Sequence, residues 1–375
     1  MKQELVTDQK WVSIQRFNKV YAVYQILPGP EATELACYFG YLMHGRIGAI
    51  VGGLGFLLPG FLLMLLWSYL YVTYGVDSKP VQRSFRSVQN CIAALIFRGT
   101  YKLAESALKL PTTTTFSWQR GYLFLFCFLT SAIHMNFFIS LGICGIMNTL
   151  FEHPTLPYWK DYIAYFISAC TIGFYIVYCH YEGIPSGSLI GGSGGFSQNG
   201  DATSNSSLFV LGLIAGLVTF GGAYTTLPFI YSSAVTSGGW LNNAEFLDAL
   251  AITNMMPTPL VTFVTMVGYI GNGIEGSILM TIGIFLPAFS FTLIGHKVFE
   301  AIVDNKLIEP FLEGVSSAVI GLLLLTAFQF VKGAVDDSVD AVVFFLSFCA
   351  VFHFTDRYTQ PILIIVAAIA GQVLY

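Results

Sequence analysis

The sequence predicts an all-α polytopic integral membrane protein, built from two homologous helical repeats with broken helices and about 10 transmembrane segments. Three observations carry that prediction. Of the 375 residues, 55% are apolar and only 10% are charged, against roughly 25% charged in ordinary soluble domains. Apolar runs of ~20 residues, the length of one bilayer crossing, recur along the chain. The front and back of the chain also share a pattern of Trp, Pro and Gly at a nearly fixed offset. A net charge of −4 leaves no basic field for nucleic acid. The polar opening MKQELVTDQK does not read as a secretory signal peptide. Seven cysteines without a CxxC pair argue against a disulfide framework or a zinc site.

Residues 11–27 carry Arg16 and Lys19 among apolar residues and end at Pro28, which predicts an amphipathic or partly buried segment. Apolar runs follow at 30–45, 47–74, 88–108, 121–150 and 158–180. His134 and Asn136 interrupt the run 121–150, which reads as one long helix or as a hairpin of two short ones. Residues 182–207 hold seven Gly and seven Ser, the composition of a flexible linker. The chain therefore divides into a first repeat with extra spans (1–181), the linker (182–207) and a second repeat (208–375). Runs at 208–231, 257–271, 276–298, 309–331, 341–353 and 360–375 complete it, the last two as a hairpin.

The duplication rests on register. Shifted by 229, Trp11, Phe17, Ala22, Pro28 and Pro30 fall on Trp240, Phe246, Ala251, Pro257 and Pro259. Shifted by 228, Gly40-Tyr41, Gly45, Gly48, Gly55 and Leu58-Pro59 fall on Gly268-Tyr269, Gly273, Gly276, Gly283 and Leu286-Pro287. Phe220 precedes Pro257 by 37 residues, and the same distance before Pro28 falls ahead of Met1. The first repeat is thus expected to lack its opening helix.

Pro28-Gly29-Pro30 and Pro257-Thr258-Pro259 each open an apolar segment after a polar residue, Gln25 and Asn254. Proline suits a first helical turn, and the N–H groups of such a turn attract anions. Thr219-Phe220-Gly221-Gly222 places two glycines inside a span, where unwound backbone is tolerated beside a cavity. One such break reads as a packing kink; paired breaks in equivalent positions read as a substrate site. Glu31 and Glu34 follow the first break. They are either a dipole-favoured helix start or a titratable group near the site. In the second reading, proton uptake by Glu31 relieves its repulsion of a divalent oxyanion. Arg98 shares a helix face with Lys102, and either snorkels or neutralises an anion in its pathway. No metal site and no catalytic constellation is found, so no cofactor and no enzyme activity are expected.

LPGPEA at 27–32, Gly40-Tyr41 and the Leu58-Pro59-Gly60 ending resemble the chromate ion transporter family. So do Thr219 to Gly222, Gly239-Trp240-Leu241, the EFLDALA run at 245–251, Pro257-x-Pro259 and GIFLP at 283–287. The resemblance implies an all-helical membrane protein with two homologous halves that moves chromate, most readily outward, with sulfate as a competing oxyanion. A sulfate or anion exchanger, an uptake system and a truncated non-transporting homologue are the alternative readings. The expected partners are the oxyanion, protons as coupling ion, the lipid bilayer and a second copy of the chain.

Overall fold

The computed structural model describes residues 11–13, 17, 20, 24, 29–75, 78–108, 117–133, 135–152, 159–182, 203–219, 222–294, 308–354 and 359–375. Twelve α-helices lie among them. They are α1 (Glu31–Tyr74), α2 (Lys79–Ala107), α3 (Trp118–Ala132), α4 (Phe137–Glu152), α5 (Lys160–Glu182) and α6 (Asn205–Leu217). Then come α7 (Leu227–Tyr231), α8 (Asn243–Met255), α9 (Phe263–Ile294), α10 (Ile308–Ala334), α11 (Ser338–His353) and α12 (Thr359–Leu374). Local chemistry sets several of the starts. Asn242 with Glu245, and Asp337 with Asp340, close reciprocal capping boxes on α8 and α11. Ser117 and Ser204 cap α3 and α6. The Ser204 cap opens α6 at Asn205, so the helix takes the last residues of the expected linker.

Among the described residues, three stretches are long and apolar enough to cross a bilayer: Glu31–Tyr74, Leu260–Leu293 and Pro310–Ala334. The first two are not straight rods. A straight helix as long as α1 would run ~66 Å, about twice the hydrocarbon core. Instead the chain reverses at His44-Gly45, where Gly45 has φ 60° and ψ −143°. A Cβ on Gly40 would overlap the Gly48 carbonyl, and one on Gly52 would lie 2.8 Å from the Ala36 carbonyl. α9 reverses in the same way at Asn272-Gly273, with Gly273 at φ 56° and ψ −147°. There Gly268 meets Gly276, and the Thr265 and Thr281 hydroxyls lie 2.9 Å apart. Both turns need a positive φ that glycine takes without strain. Each helix is therefore a hairpin with a short leg leading into its turn and a longer leg leading out.

The two turns lie at opposite ends of the molecule. The long leg of α1 ends beside α8, where the Tyr71 hydroxyl donates to Asp248 Oδ2 at 2.8 Å. Tyr71 shares a cavity with Ile270, next to the α9 turn. The α1 turn is ~40 Å away along the leg.

α9 packs on α6 and α1, α10 on α2, α3 and α4, and α11 and α12 on α2. An aromatic knot ties α7 through α10 together: Tyr231 contacts Phe246 and Phe330 edge-on at 5.2 and 4.9 Å, and Phe246 meets Phe263 at 5.6 Å. The outward faces are apolar as well, with Ile47, Val51, Phe166, Phe345 and Ile369 exposed, as lipid contact requires. The run at 121–150 is two helices, α3 and α4; His134 lies outside the described residues. Of the described cysteines, all free, Cys37, Cys91, Cys127 and Cys144 are buried.

Candidate functional site

Three interruptions of helix meet at one level inside the molecule. The first is the start of α1. Pro30 is extended (φ −69°, ψ 95°), and its carbonyl accepts from the Thr33 and Glu34 amides at 2.9 and 3.2 Å. Gly29 has φ 147°, a conformation open to glycine and strained for other residues. Its N–H donates to the Thr219 carbonyl at 2.8 Å. That bond joins the first break to the end of α6. Glu31 and Ala32 remain as donors of that turn without a backbone partner among the described residues.

The second interruption follows α6. Thr219 is buried and its hydroxyl returns to the Ala215 carbonyl at 2.7 Å. Gly222 takes φ 135° and ψ 161° and leads into a 3₁₀ turn, Ala223–Thr226. Its nearest obstacle to a side chain is Leu103 Cδ2 at 3.6 Å. Backbone conformation therefore demands this glycine, whereas crowding does not.

The third interruption lies between α8 and α9. α8 stops at Met255, and Pro259 leads into a 3₁₀ turn, Leu260–Thr262, before α9. The α1 legs pair antiparallel through Gly40 with Gly48, Ala36 with Gly52 and Cys37 with Gly53, a register that, carried on, brings residues 57–59 level with Glu31. Gly60 in turn touches the third break, its Cβ position lying 3.1 Å from Thr258 Cγ2 and 3.4 Å from Pro259 Cδ. The turns 223–226 and 260–262 also pack on each other.

Arg98 joins this region from α2. It is 6% exposed, and Nη1 donates to the Phe354 carbonyl at 3.0 Å. Gly99 beside it faces the ring of Tyr224, two residues past Gly222; a Cβ on Gly99 would lie 3.0 Å from that ring. Among the described residues no carboxylate forms an ion pair with Arg98. Lys102, one turn on along the same face of α2, is exposed. The other buried arginine network, Arg120 with Glu152 and Glu313, is closed by carboxylates.

The structure thus brings together Gly29, Pro30, Glu31, Thr219, Gly222, Thr258 and Pro259, with Arg98 beside Tyr224. Asn254 lies one turn before the third break, but its Nδ2 donates to the Leu250 carbonyl at 2.8 Å and is used within its own helix. Pro257 lies in the connection itself. Gln25, Pro28, Phe220 and Gly221 fall outside the described residues.

Two features were missed by sequence reasoning. Glu34 is more deeply buried than Glu31, and the sequence signal was its counterpart Phe263, a core position in the second half. Asp248 was read only as part of EFLDALA. It is 3% exposed, receives hydrogen bonds from Tyr71 and Gln89 at 2.8 Å each, and lines a cavity of about 660 Å³ with Gln82, Arg86 and Glu245. Burial pushes the Asp248 carboxyl up to about 6, against the opposing effect of those two hydrogen bonds.

The family described as "Chromate transporter" matches residues 1–149 and 206–372. A chromate transport protein of Pseudomonas aeruginosa is 33% identical over 379 residues, covering 100% of this chain and 86% of its own. A chromate transport protein of Cupriavidus metallidurans is 26% identical over 375 residues, covering 100% of this chain and 87% of its own. A probable chromate transport protein of Synechococcus elongatus is 26% identical over 382 residues, covering 100% and 89%. No solved structure matches the chain.

Proposed function

We propose, from the premise that this chain belongs to the chromate transporter family, that it carries a tetrahedral oxyanion across a membrane, chromate first and sulfate as its competitor. As a member of that family it is an integral membrane transporter and not an enzyme. The observation that carries the substrate reading is the meeting of three broken helices beside Arg98, a buried cation that no described carboxylate neutralises. Interrupted helices expose backbone donors at mid-depth, and a fixed positive charge offsets the desolvation of a dianion. Export is the preferred direction. Residues 1–181 and 208–375 are read as two inverted copies of one unit, supported by the matching turns of α1 and α9 and by their opposite placement.

Radiolabelled chromate flux into liposomes holding the purified protein tests this reading. Saturable flux that unlabelled sulfate inhibits is expected, and Arg98→Gln should lower it about tenfold or more at equal folded yield. Absence of flux with chromate and with sulfate, from protein that elutes as a single folded species, overturns it. Flux that requires sulfate on the opposite side of the membrane assigns an exchanger instead.

A further inference from the structure

The start of α1 contains an electrostatic gap. Glu34 is 0% exposed, and neither carboxylate oxygen has a hydrogen-bond partner. Glu31 Oε1 and Thr33 Oγ1, within the same turn, are buried without partners too. The Glu34 carboxyl occupies the space that a side chain on Gly29 would take. It therefore lies against the residue whose amide joins the first break to Thr219.

Among the described residues, nothing around Glu34 compensates a charge. From the preceding segment Tyr24 faces Glu34, and from α1 itself Glu31, Cys37 and Tyr38 lie nearby. Tyr24 and Tyr38, edge-on to each other at 5.9 Å, belong to a hydrophobic cluster with Phe17, Leu35 and Phe39. Among the described residues no Lys, Arg or His forms an ion pair there. The corresponding position of the other hairpin is Phe263, fully buried against Phe246. Hydrocarbon fits that depth, whereas an unpartnered ionised carboxylate at it is strongly disfavoured. A carboxyl in such a place is filled by a proton or a cation, or it is a standing defect.

The geometry points to Glu34 as a proton-binding site that couples proton occupancy to oxyanion occupancy at the Gly29–Thr219 joint. The idea rests on the transport reading above. An ionised Glu34 repels a dianion drawn to the donors of the same helix start, at a cost that grows as the local dielectric falls. A proton removes that repulsion, so proton and oxyanion each favour the other's binding by the same factor. Protonation of Glu31 alone would leave the deeper carboxylate charged.

The test uses the full chain in liposomes with a pH gradient imposed across the membrane. For the natural protein, chromate moves toward the alkaline side about fivefold faster than without a gradient. A protonophore abolishes the difference, and a trapped pH dye reports proton movement with chromate. Glu34→Gln keeps chromate-for-chromate exchange and loses the response to the gradient. Glu31→Gln, a change within the site itself, alters the chromate flux yet leaves it responsive to the gradient. Should Glu34→Gln fail to fold, calorimetry of chromate binding to the natural protein, repeated in buffers of different ionisation enthalpy, is the second measurement. Proton uptake on binding supports the coupling, and no uptake overturns it. A full gradient response in Glu34→Gln, or its loss in Glu31→Gln alone, also overturns the assignment. Chromate flux that ignores pH in the natural protein removes this inference and leaves the transport reading standing. No flux of any kind removes the transport reading itself.

Discussion

The hairpins α1 and α9 share a backbone and differ in their neighbours. Both reverse through the same pair of dihedral angles and carry a proline inside the long leg, Pro59 and Pro287. Both set glycine against glycine across the turn. Yet the long leg of α9 is covered by α6: a Cβ on Gly212 would overlap the Met280 carbonyl, one on Gly216 would lie 3.1 Å from Pro287 Cγ, and one on Gly283 2.8 Å from the Leu213 nitrogen. The matching face of α1 points outward among the described residues. Gly55, the counterpart of Gly283, has nothing within 4 Å of its Cβ position, and Ile47, Val51, Leu54, Leu58 and Leu62 around it are exposed. A glycine pattern therefore records which conformation and spacing a chain can support. The neighbour decides whether that spacing is used.

The most direct way to break this comparison is one substitution made at both places. A Cβ on Gly283 would overlap the Phe209 carbonyl, and backbone cannot rotate aside. Gly283→Ala should push α6 off α9 and cost at least about 3 kcal/mol, seen as lost folded yield or a lower melting temperature in detergent. Gly55→Ala meets open space at a helical position. There alanine should stabilise by up to about 1 kcal/mol through propensity alone. Equal losses at both positions would mean that the α1 face is covered as the α9 face is.

The segments ahead of the hairpins sharpen the contrast. Arg16 and Lys19 in the first half correspond to Glu245 and Asp248 in the second, so the charge is reversed. Asp248 anchors α8, which is not a spanning helix, to the far end of α1 through Tyr71. Its carboxyl is raised by burial from 3.8 to about 6 in the folded protein. The folded state thus holds this proton more tightly than the unfolded one. The stabilisation is complete below about pH 4 and is lost as pH rises through about 6. The loss amounts to no more than about 3 kcal/mol. Melting temperature should fall across that window in the natural protein and stay flatter in Asp248→Asn. Parallel profiles would assign the titration to another group.

How much was legible follows from the same physics. The reversals of α1 and α9 were readable as gaps between apolar runs, because a turn at a membrane surface needs glycine and polar residues, and His44-Gly45-Arg46 supplies them. At 121–150 the polar His134 and Asn136 marked the place of the split but left one long helix and two short ones both open. The breaks at Gly29 and Gly222 were readable from Pro and Gly that cannot continue a helix. Partners were not readable. Nothing local says that the Gly29 amide goes to Thr219, that Arg98 is buried while Lys102 is exposed, or that Glu34 lies deeper than Glu31. Those facts depend on chain segments tens to hundreds of residues away, and only the packed structure brings them together.

The smallest expected effect lies at the hairpin turns themselves. On α9, Asn205 at the start of α6 ties the turn down: its amide donates to Glu275 Oε2 at 2.7 Å, and its carbonyl oxygen accepts from Asn272 Nδ2 at 2.6 Å. On α1, His44 Nδ1 contacts the neighbouring Met43 carbonyl at 2.5 Å, a purely local contact. All these groups are exposed, so water competes for each bond and net values stay small. Asn205→Ala should cost about 1 kcal/mol and loosen α6 at its outer end. His44→Ala should cost less. Amide hydrogen exchange at 205–209 reads the first effect directly, as faster exchange confined to the opening turn of α6. Unchanged protection there would mean that the Ser204 cap and the packing of Leu208 hold the helix start without Asn205. The turn bond would then be a consequence of α6 lying on α9, and the difference between the two hairpins would rest on the glycine contacts alone.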